Sequence, residues 1–127
     1  MREMEEKNKT NPERPYNLEE RTFLFAKETR DFVKKLPKTP GNFEDVKQLV
    51  RSSGSVGANY IEANESVSRK DFLLRIKTCR KEAKESAYWL RLLDSGGSAE
   101  SEGIRIQLRS EACELMNIFA AILRKST

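Results

Sequence analysis

Residues 51–62 read Arg51-Ser52-Ser53-Gly54-Ser55-Val56-Gly57-Ala58-Asn59-Tyr60-Ile61-Glu62, a helical pattern built largely from residues that helices tend to avoid. Glycine inside a helix costs about 1 kcal/mol relative to alanine, so the segment needs a compensating gain, which close approach of a neighbouring helix at Gly57 would supply. At ~100° per residue, one face of this region is apolar or small, which is the periodicity of a buried stripe. That face comprises Val46, Leu49, Val50, Ser53, Gly57, Tyr60, Ile61 and Asn64.

The opposite face of the same segment carries a polar row, defined as Ser55, Asn59 and Glu62. On a helix whose other face packs in a core, such a row can meet solvent, a second subunit or a ligand. The pattern alone leaves these alternatives open.

Capping and helix-breaking residues divide the chain on either side of this segment. Asn17 can cap a first helix, which ends before Pro37 because the residue before a proline is pushed out of helical geometry. We expect Asn42, with Asp45, to start the second helix, which continues to about Ser66. Residues 1–16 are polar and contain two prolines, so we predict a flexible N-terminal arm there.

The third helix is expected to start at Ser68, and the turn Ser95-Gly96-Gly97-Ser98 separates it from a fourth. Short connections make consecutive helices antiparallel neighbours. The sequence therefore predicts an all-α protein, an antiparallel up-and-down four-helix bundle over residues 17–125. The predicted core stripes are Leu18, Thr22, Phe25, Thr29, Phe32, Val33 and Leu36 on the first helix, Phe72, Ile76, Cys79, Ala83, Ser86, Ala87, Leu90 and Leu93 on the third, and Ile104, Leu108, Ala112, Leu115, Phe119 and Ile122 on the fourth.

Three runs carry a resemblance to a known family: Ala58-Asn59-Tyr60-Ile61-Glu62-Ala63, Ser68-Arg69-Lys70-Asp71-Phe72 and residues 81–93 with Tyr88-Trp89-Leu90. With Ala58, Asn59 and Glu62 as its motif, the chain from about residue 17 to 123 resembles the bacterial four-helix-bundle proteins encoded in intervening sequences of 23S ribosomal RNA genes. The resemblance implies a bundle that assembles into a ring, typically a homopentamer. It also implies kinship with accessory proteins of diversity-generating retroelements, which bind nucleic acid and a reverse transcriptase.

Composition narrows the functional classes. The 127 residues suit one domain, with a net charge of +4 and no histidine. Without histidine the usual general base and the commonest metal ligand are missing, and no glycine-rich phosphate loop is present, so we predict no catalytic residue, metal site or cofactor. Cys79 and Cys113 match no metal spacing and specify no disulfide framework. No apolar run approaches the ~20 residues of a membrane span, so we expect a cytoplasmic protein.

Several large apolar residues lie outside the predicted core stripes and line up along two helices. Aligned exposed apolar residues favour a subunit interface over chance. The sequence therefore predicts a homo-oligomer, independently of the family resemblance. The candidate interface residues are Leu74, Trp89, Leu92, Ile106, Met116 and Leu123.

Basic residues of the third helix are sorted onto one side, away from most of its acidic residues. A continuous strip of this kind can neutralise several phosphates, and a ring would repeat it. We therefore predict a non-enzymatic accessory protein that binds RNA or DNA. The family resemblance implies that it also supports a reverse-transcriptase-type partner. The alternative is a protein-interaction scaffold without nucleic-acid binding, engaged through the polar row or the acidic side of this helix. The candidate nucleic-acid-binding residues are Arg69, Lys70, Lys77, Arg80, Lys81, Lys84 and Arg91.

Overall fold

The structure, a computed structural model, describes residues 17–126 and contains four helices there: α1 (Leu18–Val33), α2 (Pro40–Asn64), α3 (Arg69–Leu92) and α4 (Ala99–Ser126). Each helix packs on the next, and α1 closes the bundle against α4. Because the connections are short, the helices alternate in direction, and the predicted all-α, up-and-down four-helix bundle is confirmed. The predicted arm at residues 1–16 lies outside the described residues. None of the four described helices combines the length and apolar character that crossing a membrane requires.

Two predicted helix starts are confirmed by side-chain caps. The Asn17 Oδ1 accepts hydrogen bonds from the backbone amides of Glu19 and Glu20 at 2.8 and 3.2 Å. The Ser68 Oγ accepts from the amide of Asp71 at 3.0 Å. Each side chain satisfies amides that the first helical turn leaves without partners.

The predicted start of α2 at Asn42 is wrong. The helix begins at Pro40, and the Oγ1 of Thr39 accepts a hydrogen bond from the Asn42 amide at 3.1 Å. Proline fits the first helical position because its φ is already helical and it lacks an amide proton. The buried Asn42 instead joins two connections: its Nδ2 donates to the carbonyl oxygens of Pro37 and Asp94 at 3.0 and 2.8 Å, and its Oδ1 accepts from the Asp94 amide at 3.0 Å.

The core runs the length of the bundle and contains most of the predicted stripe residues of α1, α3 and α4. On α2 the stripe was placed slightly off: Ile61 is exposed, whereas Ser52 and Val56 are buried. The physical reason is that α2 packs against both α1 and α3, so its buried face is centred between them. Within this face the hydroxyl groups of Ser52 and Ser86 share a hydrogen bond of 2.8 Å between α2 and α3.

Gly57 lies where α1 and α2 cross closely. A Cβ atom added at this glycine would lie 2.9 Å from the Oγ1 and 3.3 Å from the Cβ of Thr22. A heavy-atom distance of 2.9 Å is shorter than a carbon–oxygen van der Waals contact, so a larger residue requires movement of one helix. The structure therefore supplies the close contact that the sequence led us to expect at Gly57.

A buried ion pair between α1 and α4 was not predicted. The Arg21 Nε donates to the Glu111 Oε2 at 2.7 Å and its Nη2 to the Oε1 at 2.8 Å, while Nη2 also donates to Glu114 at 2.7 Å. The Arg21 side chain is 1% exposed and that of Glu111 is 2%. Burial alone would lower the pKa of Arg21, but the hydrogen bonds and charges of Glu111 and Glu114 outweigh it and raise the pKa. The sequence did contain a signal for this ion pair, because Arg21 and Glu111 are charged residues within the otherwise apolar stripes of α1 and α4.

Candidate nucleic-acid interface

The seven predicted basic residues all lie on α3 and all are exposed. Because each residue turns a helix by ~100°, they occupy an arc of about 120° on the side of α3 away from α2. We call this set the basic strip: Arg69, Lys70, Lys77, Arg80, Lys81, Lys84 and Arg91.

The two charged sides of α3 differ in how their charges are compensated. On the acidic side, Nη2 of Arg51, from α2, lies 3.2 Å from carboxylate oxygens of both Glu82 and Glu85. Between residues 17 and 126, by contrast, no ion pair joins a basic-strip side chain to a carboxylate. The positive charge of the strip is therefore left for solvent ions or for a partner.

Two of the three side chains of the polar row on α2, Ser55 and Asn59, form hydrogen bonds within the protein. The Asn59 Nδ2 donates to the carbonyl oxygen and the Oγ of Ser55, both at 2.9 Å. The Asn59 Oδ1 accepts a hydrogen bond from the Arg75 Nη1 at 3.0 Å, which joins α2 to α3. Of the motif residues, Ala58 and Glu62 are exposed, and Asn59 is partly buried.

A groove of about 440 Å³ lies between the C-terminal part of α3 and the N-terminal part of α4, next to the end of the basic strip. Its lining includes Arg91 from the strip and Arg109, an exposed residue of α4 that the sequence reasoning missed. No local pattern identified Arg109, because its place beside Arg91 depends on how α3 and α4 pack.

A third arginine in this groove, Arg105, is compensated. Its Nη2 lies 2.7 and 2.6 Å from the two carboxylate oxygens of Glu102, and its Nη1 donates to the carbonyl oxygens of Arg91 and Leu93 at 3.0 and 2.9 Å. The hydrogen bond from Arg105, together with one from the Ser95 hydroxyl, lowers the pKa of Glu102. Arg105 thus caps the C-terminal end of α3, and the charge open to an anion comes from Arg91 and Arg109.

The predicted interface residues separate into three groups. Leu74, Leu92 and Ile106 are exposed, and Trp89 and Met116 are partly buried. The placement of Leu123 outside the core is wrong: it is 8% exposed and belongs to the core cluster. Leu123 points almost in the same direction as the buried Ala112, eleven residues earlier, and therefore lies on the buried face of α4.

The two cysteines differ in accessibility. Cys79 is buried, its Sγ lies 3.4 Å from the Val56 carbonyl oxygen, and burial raises the pKa of its thiol to about 12. Cys113 is partly exposed at the groove beside Arg109. Between residues 17 and 126, no cluster of three or more cysteine, aspartate or glutamate side chains could hold a metal ion.

Comparison with solved structures finds a close match to this bundle. A crystal structure of a protein of unknown function from the S23 ribosomal protein family of Bacteroides thetaiotaomicron superimposes with a TM-score of 0.72. The two sequences are 28% identical, and the match covers 84% of this chain and 98% of the other. No curated protein sequence matches significantly.

A protein-family match covers most of the sequence. The profile of the 23S rRNA-intervening sequence proteins matches residues 16–121, which is most of the chain and includes all of α1, α2 and α3. The protein therefore belongs to the family of 23S rRNA-intervening sequence proteins.

Proposed function

We propose that this protein is a non-enzymatic accessory protein that binds RNA or DNA through the basic strip of α3. One observation carries the proposal: seven exposed basic side chains share one side of a rigid helix, and none is neutralised by a carboxylate among residues 17–126. The helix backbone that carries these charges is already ordered, so contacting a phosphate backbone requires ordering of the side chains alone.

The length and number of these charges fit a nucleic-acid backbone. From Arg69 to Arg91 the strip extends along α3 for about 33 Å, at 1.5 Å per residue, which is close to one turn of a duplex. If all seven side chains neutralise phosphates, log affinity falls with log salt concentration with a slope of about −5 for a single strand and −6 for a duplex. The bundle carries no base-reading motif, so binding is dominated by phosphate contacts and depends on shape more than on sequence.

The proposal includes self-assembly, with a pentameric ring favoured. Leu74, Leu92 and Ile106 are exposed close to the basic surface, and apolar residues in such positions support subunit contacts. A ring repeats the strip on every subunit, so weak contacts add through avidity. The charged ring would then hold structured RNA or DNA for a reverse-transcriptase-type partner.

The alternative, a protein scaffold without nucleic-acid binding, has less support. Its two candidate surfaces are the polar row and the acidic side of α3. Asn59 of the row already bonds Arg75, and Glu82 is already paired with Arg51. The basic strip has no comparable internal partner in the described structure.

The test is a salt-dependent titration against single-stranded, duplex and structured RNA and DNA. Reversing Lys77, Lys81 and Lys84 to glutamate should weaken binding strongly, and the four remaining contacts should give a salt slope of about −3 for a single strand or about −4 for a duplex. The matched control reverses three exposed lysines on or just after α1, the helix diagonal to α3 in the bundle. These are Lys27, Lys35 and Lys38.

Both triple variants change the net charge from +4 to −2, because each reversal removes two positive charges. A much larger loss for the α3 variant than for the control supports the strip. Equal losses would leave only general electrostatics, and no binding at low salt would favour the scaffold alternative. Light scattering must first show that each variant keeps the parental mass, because loss of a ring removes avidity by itself.

A further inference from the structure

An exposed aromatic side chain, that of Tyr88, lies among the residues of the basic strip. Tyr88 is 57% exposed and lies on the same side of α3 as the lysines and arginines. Lys84 is four residues before it and Arg91 three residues after it, so both are its neighbours one turn away on the helix surface. Aromatic side chains of this size are usually covered, and an exposed one between cations has no role in the core.

The position of this ring is defined by its neighbour. The rings of Tyr88 and Trp89 have centroids 5.0 Å apart and planes at 76°, an edge-to-face contact that restricts the tyrosine rotamer. In the described part of the chain, the Tyr88 hydroxyl forms no hydrogen bond. The ring is therefore held in place but serves no internal polar contact.

We propose that Tyr88 is a stacking platform for an unpaired base, and that the preferred ligand of the basic strip is single-stranded nucleic acid. This inference rests on the proposed function and narrows its ligand class. In a duplex the bases are stacked on one another and only phosphates and groove edges face a helix, whereas a single strand can lay a base on an aromatic ring. Lys84 and Arg91 then hold the phosphates on either side of the stacked nucleotide.

Stacking of a base on Tyr88 makes a contribution to binding affinity that depends on the presence of the base, whereas phosphate contacts do not depend on it. Loss of one base–aromatic stack weakens affinity roughly tenfold, with a range of about five- to 150-fold. The salt slope should stay unchanged, because no phosphate contact is lost. A loss of affinity that depends on the base and leaves the salt slope unchanged therefore distinguishes a stacking residue from a phosphate-binding lysine or arginine.

The experiment measures binding of labelled oligothymidine, of an abasic strand with the same number of phosphates, and of a duplex of equal length. We expect the abasic strand and the duplex to bind the parent protein roughly tenfold more weakly than oligothymidine. The change Tyr88→Leu should remove the preference for the base-containing strand and Tyr88→Phe should keep it. Trp89, the single tryptophan, should report the stacked base as a fluorescence change that the abasic strand does not cause.

The matched control is Phe23→Leu, because Phe23 is also 57% exposed and aromatic but lies on α1. Equal affinity of the parent for base-containing and abasic strands, or unchanged affinity in Tyr88→Leu, would overturn the stacking proposal while leaving strip-dependent phosphate binding intact. A lower mass of Tyr88→Leu in light scattering would place the ring in a subunit contact and also overturn it. No binding of any strand at low salt would overturn both proposals.

Discussion

The crossing of α1 and α2 at Gly57 allows a prediction with an internal control. Gly57→Ala adds a Cβ atom 2.9 Å from the buried Thr22 Oγ1, whereas Gly103→Ala adds one to α4 with no atom within 4 Å. Both changes gain about 1 kcal/mol of helix propensity. Only the first incurs overpacking, which costs about 1–3 kcal/mol.

The two variants should therefore differ by about 1–3 kcal/mol in free energy of unfolding. Gly103→Ala should be stabilising, and Gly57→Ala should be neutral to destabilising by up to about 2 kcal/mol. Gly57→Leu adds more atoms at the same crossing and should destabilise by on the order of 1–3 kcal/mol or more, despite the better helix propensity of leucine. Urea denaturation at a fixed protein concentration measures these differences, because self-association would otherwise shift apparent stability.

A second change tests the contact itself. Thr22→Ala removes the Oγ1 atom that would lie 2.9 Å away and leaves a Cβ at 3.3 Å, so Gly57→Ala should cost less in this background. Thermal unfolding should show the same order, with about 3–6 °C per kcal/mol for a domain of this size. If Gly57→Ala melts as high above the parent as Gly103→Ala does, the close-packing argument is refuted.

Four further predictions concern the Arg21–Glu111 ion pair, the reactivity of the cysteines, the pH dependence of stability and the assembly of subunits. Glu111→Gln should lower the free energy of unfolding by roughly 3 kcal/mol, the low end of the cost of breaking a buried ion pair, because Arg21 loses one carboxylate and keeps Glu114. The double change Arg21→Met with Glu111→Leu should cost much less, and equal costs in denaturant titrations would contradict this. Cys113 should react with a thiol reagent in the folded protein and Cys79 only after unfolding. Since burial raises the pKa of Cys79 from 9.0 to about 12, the unfolded thiol loses its proton first, so stability should be full below pH 9 and fall between pH 9 and 12, and Cys79→Ala should weaken that fall. Ile106→Lys should reduce the mass measured by light scattering while helicity is retained, and a parent that is a stable monomer at micromolar concentration would contradict the predicted homo-oligomer.

Most of the fold followed from patterns local to each helix. Helical periodicity requires only neighbouring residues along the chain, so the stripes of α1, α3 and α4 and the caps at Asn17 and Ser68 could be predicted. The start of α2 was missed because two adjacent capping patterns compete there, and the structure selects Thr39 with Pro40. The face of α2 was misplaced because it depends on which two helices pack against it.

The exposure of the basic strip was also determined by sequence alone, since its seven residues recur on one side of a single helix. Which charges are compensated was decided by the tertiary structure. Arg21 meets Glu111 across 90 residues, and Arg51 meets Glu82 across 31. Such pairings depend on how separate helices are placed, which no local pattern contains. The sequence therefore determined where positive charge is concentrated, whereas only the packing of four helices decided which part of it remains open to a partner.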